Sequence, residues 1–125
     1  MSRFESNAVT WFEIPTSDFE RATKFYEHVL DIKFIPFGDG DPINIFPSVG
    51  AGATGCITKR PHGKPSVDGT RVFLNADGKL DASIKRAEKL GATIVTPRTQ
   101  IPNGSYYACL IDSEGNHVGL HSSQF

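Results

Sequence analysis

The chain has 125 residues, 38% of them hydrophobic, with 12 glycines and with 13 basic against 14 acidic side chains for a net charge of −1. Those figures fit one globular domain, and so balanced a charge gives no summed field to hold a nucleic-acid backbone or an anionic membrane. No apolar run approaches the roughly 18 to 20 residues of a membrane span, and the opening MSRFESNAV lacks a signal-type apolar segment, so a soluble cytoplasmic protein is expected. Cys56 and Cys109 stand far apart without CxxC spacing, which predicts reduced, half-buried strand residues rather than a disulfide or a thiolate metal site.

Alternation over Ala8 to Ile14 predicts a first strand, with Val9, Trp11 and Glu13 facing one way and Thr10, Phe12 and Ile14 the other. Ser17 and Glu20 have capping-box spacing, and Phe19, Ala22, Phe25, Tyr26, Val29 and Leu30 recur at helical spacing, predicting a helix from about Asp18 to Leu30. Extended runs follow at 33–36, 43–46 and 54–58, separated by the turn-rich pieces 38–42 and 47–52. The order β-α-β-β-β then returns. Thr70 to Ala76 is strand-like, Leu80, Ile84, Ala87 and Leu90 form a helical stripe closed by Gly91, and 93–96, 106–111 and 117–121 supply three more strands. The whole chain, 1–125, reads as one domain built of two modules, about 7–58 and 70–122, joined by an exposed connection at 59–69. Neither module is large enough to bury both faces of its sheet, so the modules must pack on each other or on a second chain.

The stretches WFEIPTSDFERATKFYEHVL, GTRVFLNADGKLDASIKRAEKLGATIV and YYACLIDSEGNHVGLHS together resemble the vicinal oxygen chelate superfamily, which contains glyoxalase I, extradiol dioxygenases, and fosfomycin- and bleomycin-resistance proteins. The resemblance covers nearly the whole chain. It implies an α+β fold, two tandem βαβββ modules forming a half-barrel around a cavity, commonly in a homodimer. In metal-dependent members a divalent ion is held by the first and last strands of each module. Aligned on the helix starts and the final hairpin, Trp11 and Arg71 occupy the two His positions, Gly119 occupies one carboxylate position, and the fourth falls near Gly55 or Cys56. An indole has no lone pair to give, and a guanidinium stays protonated and repels a cation.

His117 and His121 are four apart, but on a strand that spacing spans roughly 13 Å and forbids a local chelate. One His joining Glu13 across the sheet is the improvised metal alternative, and a hydrogen-bonded His121 the plainer one. Gly50 to Gly55 matches G-x-G-x-x-G but leads into a strand, so a turn is expected there rather than a nucleotide loop. Asn103-Gly104-Ser105 likewise reads as a turn. Phe12, Phe19, Phe25, Tyr26, Phe34 and Phe46 are expected in the core. Alternation sets Trp11 and Glu13 on one face of the first strand, and Arg71, Phe73 and Asn75 on one face of the fifth; either Tyr106 or Tyr107 shares that face. Glu13 and Arg71 either contact a ligand or pair with each other where the modules meet.

The expected function is binding of a small organic molecule between the modules by Trp11, Glu13, Arg71, Phe73, Asn75 and His121, without a cofactor, in a homodimer that takes neither nucleic acid nor membrane. If the protein is an enzyme, Glu13 is the candidate base and Arg71 the oxyanion partner. The alternative is a metal-dependent lyase or isomerase of glyoxalase type using Glu13 and His121 as ligands. Drug sequestration of the bleomycin-resistance kind ranks lower, because a cationic drug favours an acidic groove and Arg71 is set on the cavity face.

Overall fold

The computed structural model describes residues 3–5, 7–50 and 52–123; the remaining positions, including Ala51 in the glycine-rich loop, lie outside the described residues. Eight strands and two helices follow one another as β1 (Trp11–Pro15), α1 (Phe19–Leu30), β2 (Ile35–Asp39), β3 (Asp41–Ile45), β4 (Thr54–Thr58), β5 (Phe73–Asn75), α2 (Leu80–Lys89), β6 (Thr93–Gln100), β7 (Tyr106–Ile111) and β8 (His117–Ser122). They form two four-stranded mixed sheets, ordered β1-β4-β3-β2 and β5-β8-β7-β6. In each, the opening strand runs parallel to the last strand of its own module and the rest are antiparallel. The fold is α+β, two βαβββ units in tandem. No helix among the described residues is long and apolar enough to cross a membrane.

Each helix presents an apolar stripe to one face of the sheets. Ala22, Phe25, Tyr26, Val29 and Leu30 are the buried side of α1, and they merge with Ile14, Phe46, Ile57, Leu74, Leu110, Val118 and Leu120 into one core spanning both modules. The aromatic rings meet edge to face, Phe34 and Tyr26 on Phe46 at 4.8 and 5.7 Å between centroids. Of the six aromatic residues expected inside, Phe25, Tyr26, Phe34 and Phe46 are buried, while Phe12 and Phe19 pack against the core part-exposed.

Several boundaries differ from those the sequence suggests, each for a physical reason. The N-cap of α1 is Asp18, whose side chain accepts from Arg21 N–H at 3.0 Å, rather than Ser17. Ser17 is drawn away because its N–H and hydroxyl both donate to Glu114 Oε1, at 2.9 and 3.1 Å. Most of the segment read as a turn at 38–42 is strand: β2 and β3 pair up to Asp39 and Asp41, and the reversal is made by Gly40 at φ +98°, open to glycine at little cost. β6 runs on through Pro97 with two register shifts, tolerable in an edge strand whose outer N–H groups have no partner strand. Cys56 and Cys109 are free thiols, and both are fully buried rather than half-buried.

The modules are joined by polar groups as well as by the core. Glu114, in the β7–β8 hairpin of the second module, accepts Ser17 N–H and Asp18 N–H at the start of α1 and binds Arg21 Nε at 2.8 Å, with its own side chain fully buried. At the other end of α1, Arg86 of α2 donates to Val29 O at 2.9 and 3.2 Å, and the Lys79 ammonium donates to Leu30 O. Tyr26 donates its hydroxyl to Asp112 Oδ2 at 2.5 Å, and Asn116 Nδ2 donates to Pro15 O at 2.8 Å.

Burial alone would raise the Glu114 carboxyl, but the hydrogen bonds from Arg21, Asp18, Ser113 and Ser17 outweigh it and hold it down to about 2, from an ordinary 4.5. A carboxylate depressed by folding stabilises fully above its unfolded value and loses that contribution as pH falls through its folded value. Glu114→Gln is therefore expected to cost about 2–3 kcal/mol in urea unfolding at pH 7. The gap between the two proteins should close between pH 4.5 and about 2. Tyr26→Phe, which strips a buried donor from Asp112, should cost about 1–3 kcal/mol by the same measurement.

Candidate functional site

Because α1 and α2 occupy one face of the sheets, the residues that alternate with the core line the other face. On the first sheet these are Trp11 and Glu13, whose ladder partners on β4 are Thr54 and Cys56. On the second they are Phe73 and Asn75, partnered on β8 by Gly119 and His121, with Tyr107 and Cys109 next along the ladder. The face is apolar and uncovered: Trp11 is 43% and Phe73 48% exposed, and Ile35 and Phe37 on the outer strand are 52% and 61% exposed.

Glu13 is already partnered. Arg60, in the connection between the modules, grips both carboxylate oxygens, Nε to Oε1 at 2.9 Å and Nη2 to Oε2 at 2.6 Å, and reaches Asp41 Oδ2 at 3.3 Å. The Arg60 hydrogen bonds, with a further one from Trp11, hold the Glu13 carboxyl below its usual value against the opposing effect of burial. Beneath this pair, burial and the Glu13 charge push the Cys56 thiol up to about 11, leaving it a neutral S–H. The pairing of Glu13 with Arg71 that the sequence left open is not formed. Arg71 is exposed and sets Nη1 3.5 Å from Cys109 Sγ.

Phe73 lies over Gly119: a methyl at Gly119 would collide with the ring, so the backbone there is the floor on which the phenyl rests. Phe73 also meets Tyr107, centroids 6.0 Å apart at 66°, which makes Tyr107 the tyrosine of the open face. Tyr106 points the other way, packing against the core beneath the Arg98 guanidinium. His121 Nε2 lies 3.1 Å from Ser105 Oγ, whose single proton goes to Asn103 Oδ1 at 2.6 Å. With that proton engaged, His121 Nε2 is the donor of this pair.

The site residues read from the sequence are thus divided between sheets. Trp11 and Glu13 belong to the first, and Phe73, Asn75 and His121 to the second, with Asn75 and His121 adjacent on the ladder and Arg71 in the segment just before β5 rather than in the strand expected over 70–76. Phe73 and Asn75 also line a 250 Å³ cleft at the seam between modules, with Phe12, Phe46 and Thr54, while Glu13 borders a second seam pocket beside His117. Of the two positions considered for a fourth metal ligand, the ladder sets Cys56 opposite Glu13 as Gly119 is opposite Phe73, and Gly55 opposite the core residue Phe12. No three His, Cys, Asp or Glu side chains come together among the described residues. Sequence reasoning missed Arg60 and Ser105, whereas the period-2 pattern of β7 had left Tyr107 open as one of two candidates, and its contact with Phe73 selects it over Tyr106.

The family model for the Glyoxalase/Bleomycin resistance protein/Dioxygenase superfamily matches residues 8–120. The chain belongs to this superfamily. Among solved structures it is similar to a glyoxalase/bleomycin resistance protein from Albidiferax ferrireducens T118, at 20% identity and TM-score 0.73, covering 93% of this chain and 98% of that one. A lactoylglutathione lyase from Agrobacterium tumefaciens is similar at 22% identity and TM-score 0.64, with 92% of each chain covered. A genomically encoded fosfomycin resistance protein from Listeria monocytogenes is similar at 14% identity and TM-score 0.66, covering 98% of this chain and 94% of that one. At these identities the likeness is one of fold. No curated protein matches the chain.

The contact between Phe73 and Gly119 is open to a direct check. Gly119→Ala should cost about 1–3 kcal/mol by driving the ring off its seat. Adding Phe73→Ala should recover most of that cost, a coupling read from the double-mutant cycle in urea unfolding.

Proposed function

We propose that this superfamily member binds a small organic molecule on the open faces of its sheets without a metal ion, in a cavity completed by a second copy of the chain. The observation that carries this reading is the pair of half-exposed aromatics, Trp11 and Phe73, one on each sheet, with Arg71, Asn75 and Tyr107 beside the second. Aromatic walls with a few polar groups suit a ligand with a planar or apolar body and an anionic tip, the tip meeting Arg71. A second copy is called for because Trp11, Ile35, Phe37 and Phe73 leave an apolar face that a lone module pair does not cover.

Binding is favoured over catalysis by the state of Glu13. A general base works best with a pKa near the working pH, whereas this carboxylate is held in a bidentate pair by Arg60 and shifted further from neutrality. The donor set also speaks against a metal: the positions where metal-dependent relatives are expected to ligate hold Trp11, Arg71, Cys56 and Gly119. A neutral, buried thiol beside an arginine is a poor ligand for a divalent ion.

Trp11 is the chain's single tryptophan, so its emission reports on the face directly. Titration with 8-anilinonaphthalene-sulfonate, an aromatic body with an anionic tip, is expected to quench Trp11 saturably, and Arg71→Ala to weaken binding about tenfold. Unsaturable quenching, or an Arg71→Ala variant that binds unchanged, would overturn the reading. In thermal melts of chelator-treated protein, zinc, nickel, manganese and iron(II) should leave the midpoint unmoved. A rise with one metal that vanishes in Glu13→Ala or His121→Ala would establish the glyoxalase-type alternative instead.

A further inference from the structure

Glu13 is set aside as a proton acceptor by its pair with Arg60, but the second sheet carries another group of that kind. His121 stands on β8 with Gly119, on the side opposite the core residues Val118 and Leu120, and is therefore turned to the open face. One of its nitrogens is committed to the protein. Nε2 donates to Ser105 Oγ at 3.1 Å, and Ser105 is itself fixed, its N–H and hydroxyl both donating to Asn103 Oδ1 at 2.9 and 2.6 Å. The other nitrogen is open. Nδ1 has no hydrogen-bond partner among the described residues, and it is not sealed from solvent, since His117 Nε2 is the single side-chain atom among them that is both buried and unpartnered. In a neutral imidazole that donates through Nε2, the lone pair is on Nδ1. A ring anchored at one nitrogen and open at the other is how a histidine is presented for proton transfer.

The neighbours of His121 supply the remaining groups. Its ladder partner on β5 is Asn75, a strand spacing of roughly 5 Å away. Asn75 Oδ1 is taken by Asp77 N–H at 2.9 Å, which leaves the exposed amide nitrogen with protons to donate. One step along the strands, roughly 7 Å, lies the row of Phe73, Gly119 and Cys109, with the Arg71 guanidinium against the Cys109 sulfur. The nucleophilic groups of these rows are shut away, Cys109 by burial and the Ser105 hydroxyl by its bond to Asn103. What the rows offer a bound molecule is a base, an oxyanion donor and a cation.

We infer that the second sheet enolises an aromatic 2-oxo acid, with His121 as the base and Asn75 as the oxyanion donor. The inference rests on the reading that the open face binds an aromatic body with an anionic tip, and it names the class of that molecule. The carboxylate meets Arg71, the ring packs on Phe73, and the carbonyl oxygen accepts from Asn75 Nδ2. The C–H bond beside the carbonyl then breaks towards His121 Nδ1. Its electron pair becomes the C=C bond of the enolate, and the carbonyl π pair moves onto the oxygen, where the Asn75 N–H meets the new charge. The imidazolium returns a proton to the same carbon, so the cycle consumes nothing.

The test is deuterium exchange into the methylene group of sodium phenylpyruvate in D2O, followed by proton NMR, with binding read separately from the amide shifts of the isotope-labelled full chain. Saturable shifts at Phe73 and Gly119 are expected, with exchange faster than in the same buffer without protein. His121→Gln and Asn75→Ala should each slow exchange at saturation about a hundredfold, while the affinity read from the shifts holds within a few-fold. Saturable binding with exchange no faster than in buffer would overturn the inference and leave the binding reading standing. Shifts that never saturate would overturn both. Exchange that persists undiminished in His121→Gln would overturn the assignment of the base.

Discussion

Helix α1 is held at both ends by the module to which it does not belong, and the rest of the molecule depends on that clamp. A helix leaves unpaired N–H groups and a partial positive charge at its start, and unpaired carbonyls with a partial negative charge at its end. Here a buried carboxylate, Glu114, meets the first, and two cations, Arg86 and Lys79, meet the second. Each contact has the favourable sign for the helix dipole, so α1 has one low-energy seat on the second module. With Tyr26 bonded to Asp112 midway along the helix, the seat is fixed in rotation as well as position.

That seat decides which surfaces remain available. With both helices packed on one side, a single core joins the modules, and the alternate residues of every strand are turned to the other side. The open face therefore collects groups left outside the core: an indole on β1, a phenyl ring and an amide on β5, and a guanidinium just before β5. Arg60 then removes one option from the chemistry. By pairing with Glu13 it engages the carboxylate of the first sheet, while burial and the Glu13 charge keep the Cys56 thiol un-ionised against the opposing influence of Arg60. What remains on that face is shape, aromatic surface and Arg71.

The local elements were legible because their signals are local. The α1 stripe from Phe19 to Leu30 and the Gly91 closure of α2, where Gly91 takes φ +88°, are set by residues within two turns of one another. Boundaries failed where a distant group intervened. Ser17 has every feature of a cap, yet Glu114, 97 positions away in sequence, claims its N–H and hydroxyl. Arg60 shows the same limit at the candidate site. In a stretch of Lys, Arg, Pro and Gly it reads as solvated linker, and nothing near it marks it as the partner of Glu13.

By itself the sequence determined the periodicities, and through them the two-fold βαβββ order, the two apolar helix faces and the side of each strand on which Trp11, Glu13, Phe73 and Asn75 stand. Those properties follow from covalent spacing, 3.6 residues per helical turn and two per strand repeat, and need no knowledge of what lies opposite. Tertiary structure alone decided the pairings: Glu13 with Arg60 rather than Arg71, Glu114 with the start of α1, and Tyr107 rather than Tyr106 beside Phe73. A charge or a hydrogen-bonding group is satisfied by whichever complementary group the fold brings within about 3 Å. Chain separation carries no information about that distance.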